Sequence, residues 1–373
     1  MAGPLDSFAG SRLSASPFDA FVGNRAAVSF LRATLATGRV THAYLFTGPP
    51  HIGKRTLALA LAAALVCERA PAASPAGAAG PGAQLSAVPA PCGECRQCRL
   101  VAKHTHSDVL LVEAEPGRRG ITIEQVRHVE HVAGLRPYEA QRKVLILRNV
   151  ETMAEPAANA LLKTLEEPPG DTVLVLTAAD SSHVLPTVAS RCREVALRPV
   201  PAEEIERALQ GRGADEAQAR LLSRLAAGRP GWAFAAAGDP SWLAAHYARV
   251  EALEAALARP PVARLPAAAL ESTEARAHLD TWLGWWRDAL LVQQGCADLV
   301  ANVDRLQALH CAAAGAGIDC WRAVRRIEET RAQLDANANP RLALEALLLD
   351  LPQVPELSAV AASPDGSLQQ SPD

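Results

Sequence analysis

Residues 43–66 read AYLFTGPPHIGKRTLALALAAALV, and this stretch decides the fold. A short apolar run at 43–47 predicts a strand. A glycine-proline loop follows, and an alanine- and leucine-rich helix begins at about Lys54. Inside it, GPPHIGK matches G-x-x-x-x-G-K, the spacing of a phosphate-binding loop. Gly48 and Gly53 let the backbone turn so that its N–H groups converge on a phosphate. Lys54 would bring a point charge to the β/γ oxygens, and the helix N-terminus adds its dipole. The strand–loop–helix context makes this far more specific than a bare pattern match.

The residue after the lysine should carry a hydroxyl that holds Mg²⁺. Here it is Arg55, with Thr56 one place late. A shift of one residue turns a helical side chain by about 100°. Hydrolysis also requires an acidic residue at the end of a neighbouring strand, to hold the metal and polarise water. The candidate strand, KVLILRNVE at 143–151, ends in Arg148 and Asn149, and Glu151 lies further on. Two separate defects in one site point to nucleotide binding, at most, without turnover.

Working outward, Val28, Leu31 and Leu35 recur at helical spacing after Asn24, in a helix ending near Gly38. From Asp108 the alternation resumes: VLLVE is a strand, ITIEQVRHVEHVAG a helix, KVLILRNV a strand, EPAANALLKTLEE a helix and TVLVLTA a strand. Continuous apolar strands are buried on both faces, so the fold class is α/β, a parallel sheet flanked by helices. After about Leu197 the strands stop, with helices expected within 202–238 and throughout 241–351. Trp282, Trp285 and Trp286 fall on one helical face and read as packing core, not as a base-stacking platform.

The chain has 373 residues, 49 % hydrophobic but only 4 % aromatic, with a formal charge of −3. Length allows two or three domains, composition favours alanine-rich helices, and the charge argues against a wholesale nucleic-acid coat. The start lacks a signal-peptide pattern and no stretch approaches a membrane span, so a soluble cytoplasmic protein is expected. Segments 1–17, 70–91 and 353–373 read as a flexible lead, a disordered insertion and a disordered tail.

Four of the eight cysteines, Cys67, Cys92, Cys95 and Cys98, follow C-x24-C-x2-C-x2-C. Four thiolates suffice for a closed tetrahedral Zn²⁺ site, structural because no coordination position is left open. His104 and His106 lie nearby and are read as non-ligands.

NALLKTLEEPP at 159–169, LPTVASRC at 185–192, HAYLFTGPP at 42–50, the inserted cysteines, the 106–108 segment and NPRLALEALLLDL at 339–351 together resemble the AAA+ clamp-loader subunits of bacterial DNA polymerase III. The likeness covers most of the chain. It implies an AAA+ domain over 18–198 with a zinc module at 67–98, a helical lid at 199–240 and an oligomerising collar at 241–352. Thr177 matches the family's γ-phosphate-sensing residue. The lid's G-S-x-R arginine is missing, because Gly228-Arg229-Pro230-Gly231 puts Gly231 in its place. This pattern of losses looks like the family's non-hydrolysing stator; an active ATPase subunit of the gamma/tau type is the alternative.

In the resemblance, the arginine of Ser190-Arg191-Cys192 reaches a neighbour's ATP site as an arginine finger, so Arg191 would act in trans. The implied partners are gamma/tau-like ATPase subunits and a clamp-opening delta subunit in a hetero-pentamer. Through them the chain would meet the sliding clamp and primer-template DNA.

Overall fold

The computed structural model describes residues 16–69, 91–115, 118, 120–315 and 317–358. The lead, insertion and tail expected at 1–17, 70–91 and 353–373 lie outside these, apart from Ser16, Pro17, Pro91 and residues 353–358. Two compact units divide the chain, one of residues 1–219 and 228–234, the other of 220–227 and 235–373. The division runs through the stretch read as a lid. Among the described residues no helix is long and apolar enough to cross a membrane.

The first unit runs α1 (Arg25–Ala36), β1 (Ala43–Thr47), α2 (Lys54–Val66), α3 (Arg96–Ala102), β2 (Val109–Val112), α4 (Ile123–Gly134), β3 (Lys143–Leu147), α5 (Glu155–Glu166), β4 (Thr172–Ala178), α6 (Pro186–Ala189), β5 (Arg193–Ala196) and α7 (Ala202–Gln210). The helices α8 (Glu216–Leu225) and α9 (Pro230–Gly238) follow. All five strands are parallel in the order β2-β3-β4-β1-β5. Every residue of β1, β3 and β4 is buried, as their continuous apolar runs require when helices cover both faces. Leu45, Leu145 and Leu174 share one core cluster with Val126 and Val129 of α4 and Leu161 and Leu165 of α5. The α/β class expected for an AAA+ phosphate-loop domain is therefore the one observed. β5 was not visible in the sequence: in REVA only Val195 is buried, as at a sheet edge.

The order places the ends of β1, β3 and β4 side by side, so the loop after β1 and the residues after β3 and β4 share one rim of the sheet. Functional sites of open parallel sheets gather there.

The second unit is wholly helical after α9: α10 (Pro240–Leu257), α11 (Ser272–Gln293), α12 (Leu306–Ala314), α13 (Cys320–Asp335) and α14 (Pro340–Asp350), with short 3-10 turns between. Trp282, Trp285 and Trp286 are buried in its core, as their spacing predicted. Val354 and Leu357 are buried in the same core, so packing continues past the bound read at 352.

Candidate functional site

The loop read as phosphate-binding joins β1 to α2, the strand–loop–helix arrangement expected of it. Gly48 has φ 142°, and a Cβ there would stand 2.5 Å from the Leu197 carbonyl oxygen, so only glycine fits. Gly53, at φ 108°, opens α2. The loop's N–H groups are depleted, however. Pro49 and Pro50 have none, Gly48 donates to Ala179 O at 3.1 Å, and Ile52 donates to Pro49 O at 3.4 Å. The Lys54 ammonium donates to Gly48 O and, at 3.0 Å, to Pro49 O. Burial, with Arg148 nearby, lowers its pKa to about 8 against the opposing pull of Glu151. Burial holds the His51 imidazole at about 4, helped by Arg229, Lys54 and Arg148. Cations crowd the loop.

The two departures noted in the sequence meet in space. Arg55 Nη2 lies 3.6 Å from Glu113 Oε1, and Arg148 Nη1 lies 2.8 Å from Glu113 Oε2. Glu113, just past β2, thus holds between two guanidiniums the place where hydroxyl and carboxylate metal ligands would be sought. Arg55 Nη2 also approaches His104 Nε2 at 3.4 Å. Thr56 lies one residue further along α2, half-buried. Thr177 Oγ1 accepts the Asn149 N–H at 3.1 Å, which ties the end of β4 to the residue after β3. Glu151 sits closer to the loop than its sequence position suggested: its Oε1 accepts the Ala179 N–H at 3.0 Å, and its charge is felt by Lys54.

Gly231, read in the sequence as standing where the family's lid arginine would be, packs against the loop. Its N–H donates to His51 O at 2.8 Å, and a Cβ there would come within 2.7 Å of the same oxygen. The first turn of α9 is thereby fastened to the tip of the phosphate loop.

Cys67, Cys92, Cys95 and Cys98 form a group that could hold a metal ion, their sulfurs all within 4.8 Å of one another. Cys67 Sγ lies 3.9 Å from Cys95 Sγ, and Cys92 Sγ 4.0 Å from Cys98 Sγ. Four sulfurs around a tetrahedral zinc, each at ~2.3 Å, would stand about 3.8 Å apart, so the set fits. Cys67 ends α2 and Cys95 caps α3, its sulfur accepting the Cys98 N–H at 3.4 Å. His104 and His106 are not in the group; His106 Nδ1 accepts the Asp108 N–H at 2.9 Å.

Arg191 follows α6. Its Nη1 donates to Thr187 O at 2.8 Å, and its Nη2 lies 2.5 Å from Glu166 Oε1 at the end of α5. Its side chain is 35 % exposed and that of Glu166 50 %. The guanidinium is on the surface and restrained.

Two family models match in succession: one described as DNA polymerase III, delta subunit, over residues 23–201, the other as its C-terminal part over 242–353. The chain belongs to the DNA polymerase III delta-subunit family. Over 160 residues it is 44 % identical to the DNA polymerase III subunit delta′ of Pseudomonas aeruginosa, covering 43 % of this chain and 44 % of that protein. The delta′ subunit of Escherichia coli K12 is 33 % identical over 216 residues, 57 % of this chain and 60 % of that one. A gamma/tau subunit of Mycobacterium tuberculosis H37Rv is 29 % identical over 206 residues, 54 % of this chain and 33 % of that protein. The chain thus spans about half the length of the delta′ relatives it matches.

Within this delta-family chain, sequence reasoning missed Glu113 and Glu166. Glu113 was read as the end of a strand, and Glu166 only as part of a helix. Their roles come from pairing with Arg55, Arg148 and Arg191, far away in sequence. One usable signal existed: two arginines at metal-ligand positions require a nearby carboxylate if they are to be half-buried together.

Proposed function

We propose that this chain is a non-hydrolysing, delta′-type subunit of the DNA polymerase III clamp loader. It helps place the sliding clamp on primed DNA and lends Arg191 to the ATP site of a neighbouring gamma/tau-type subunit. The observation that carries this reading is the Arg55–Glu113–Arg148 cluster, at 3.6 and 2.8 Å, where a hydrolytic site needs metal ligands. Guanidinium groups there repel a divalent cation and supply no base to orient water. In this reading the four cysteines bind a structural Zn²⁺. The partners are the gamma/tau-like ATPase subunits and the clamp-opening delta subunit of a hetero-pentamer, with clamp and primer-template DNA reached through them.

The chemistry Arg191 would perform is electrostatic. A guanidinium beside a γ-phosphate stabilises the charge that develops on it during transfer. At rest the group bonds Thr187 O and Glu166. An exposed ion pair of this kind contributes at most ~1 kcal/mol, so phosphate oxygens readily displace the carboxylate. Thr187 O still holds one side of the fork and keeps the group oriented.

Two measurements test the proposal. The isolated chain should release no phosphate from ATP. A loader reconstituted with Arg191→Ala should lose at least ~10-fold of its DNA-stimulated turnover, since removing such a cation costs several kcal/mol of transition-state stabilisation. Unchanged turnover in that variant sinks the trans role. The second reading, an active ATPase using Thr56 and Glu151, is favoured by the pull of Glu151 on Lys54. Phosphate release by the isolated chain that is abolished in Lys54→Ala would establish it.

A further inference from the structure

Arg191 lies back along its own helix at rest. Its backbone N–H bonds Val188 O at 3.2 Å, so the Thr187 carbonyl goes without the helical donor due from that position. The side chain replaces it. Nη1 donates to Thr187 O at 2.8 Å and lies 3.4 Å from Ser190 Oγ, which itself donates to the same carbonyl at 3.2 Å. Nη2 meets Glu166 Oε1 at 2.5 Å. The guanidinium thus ties the short α6 to the last residue of α5.

The two helix ends are held together beneath this tie. Leu161 and Leu165 of α5 share one core cluster with Val188 of α6. Glu166 ends α5 and Glu167 caps it, both at the negative end of the helix dipole, with Lys163 as the basic residue of the last turn. Carboxylates are disfavoured at a helix C-terminus and cations favoured. Arg191 relieves that charge while Nη2 stays on Glu166. Turning Nη2 to a neighbour's γ-phosphate gives the helix end its unfavourable charge back, although Thr187 O can keep the other edge of the fork.

We propose that Glu166 is a positioning residue for Arg191, holding Nη2 until an anion of greater charge, such as a terminal phosphate, takes its place. The carboxylate and the γ-phosphate compete for one edge of the guanidinium, and the carboxylate keeps turnover low until the phosphate wins. Glu166 can act on turnover only through an Arg191 that acts in trans, so its role rests on that reading.

The test is basal ATP turnover of the reconstituted loader, measured without DNA. Glu166→Ala and Glu166→Gln should each raise kcat about 2–5-fold, the size of one exposed ion pair. Glu166→Asp, which keeps the charge, should raise it less. The gain over the native chain should shrink as salt rises from about 0.05 to 0.5 M, because the pair is exposed and screening shortens its reach. A Glu166 that merely braces α5 would do neither, since loosening that helix end lowers turnover at every salt concentration. Combined with Arg191→Ala, Glu166→Ala should give no gain. In the isolated chain, phenylglyoxal should modify Arg191 faster in Glu166→Ala than in the native sequence, as read by peptide mass; circular dichroism checks the fold of each variant. Turnover that Arg191→Ala lowers but Glu166→Ala leaves unchanged or lowers overturns the hold and spares the trans role. A gain that persists without Arg191, or equal modification rates, overturns the hold as well. Turnover indifferent to Arg191→Ala removes the trans role, and the control by Glu166 with it.

Discussion

Asp108 shows how one side chain organises this fold. It is 2 % exposed, and its carboxylate accepts the N–H groups of Tyr138 and Glu139 at 2.7 Å each and of Ala140 at 2.9 Å. Lys143 Nζ lies 3.8 Å away. Burial alone would raise its pKa, but those N–H bonds and the Lys143 charge outweigh burial and hold it below the usual carboxylate value. A carboxyl with a depressed folded pKa stabilises the fold above its unfolded pKa of about 4, and the gain is lost as pH falls through the folded value. Asp108→Asn is therefore expected to cost about 2 kcal/mol near pH 7, since one oxygen acceptor is lost beside N–H groups that need it. Urea titrations followed by far-UV circular dichroism should show the gap closing as pH falls below about 4. A gap that stays constant with pH would mean that charge is not what Asp108 contributes.

At the scale of elements, α3 is the piece that the sequence left unread, and it begins within the four-cysteine group. Its seven residues, Arg96–Ala102, follow the capping Cys95 and include Cys98, too short a helix to persist on propensity alone. The cysteine spacing was legible because ligand spacing is local, whereas the ties between α3 and the rest of the unit were not. Arg96 Nη1 lies 2.5 Å from Glu139 Oε2, and Gln97 Nε2 donates to the same oxygen at 3.3 Å, across more than forty residues. Atomic emission on purified chain should find one zinc per molecule, and Cys98→Ser should abolish it. Zinc removal is expected to cost the first unit about 3 kcal/mol, or roughly 6–12 °C in melting temperature. The buried strands should persist, since β1, β3 and β4 are held by apolar packing. A metal-free protein with unchanged melting would remove the structural role from this site.

For the molecule as a whole, the buried parallel strands and the tryptophan face were readable because each is a run or a period within a few turns of chain. β5, Glu113 and Glu166 were not, because an edge strand has little apolar signal and the other two matter through distant partners. The described residues also form separate apolar clusters, one around the sheet and one around Trp282, Trp285 and Trp286. Arg264 anchors the second: it is 1 % exposed and donates to Leu348 O at 3.0 Å, Leu351 O at 2.7 Å, Pro352 O at 3.3 Å and Arg259 O at 2.9 Å. It thereby satisfies the carbonyls that α14 leaves open at its end. Arg264→Ala would orphan those carbonyls and leave a void, at a cost of about 3 kcal/mol. Two separate cores lead us to expect two calorimetric transitions. Arg264→Ala should lower the one that tryptophan fluorescence follows, by about 6 °C or more, while Asp108→Asn lowers the other. If both variants shift a single transition by similar amounts, the two cores melt as one cooperative unit.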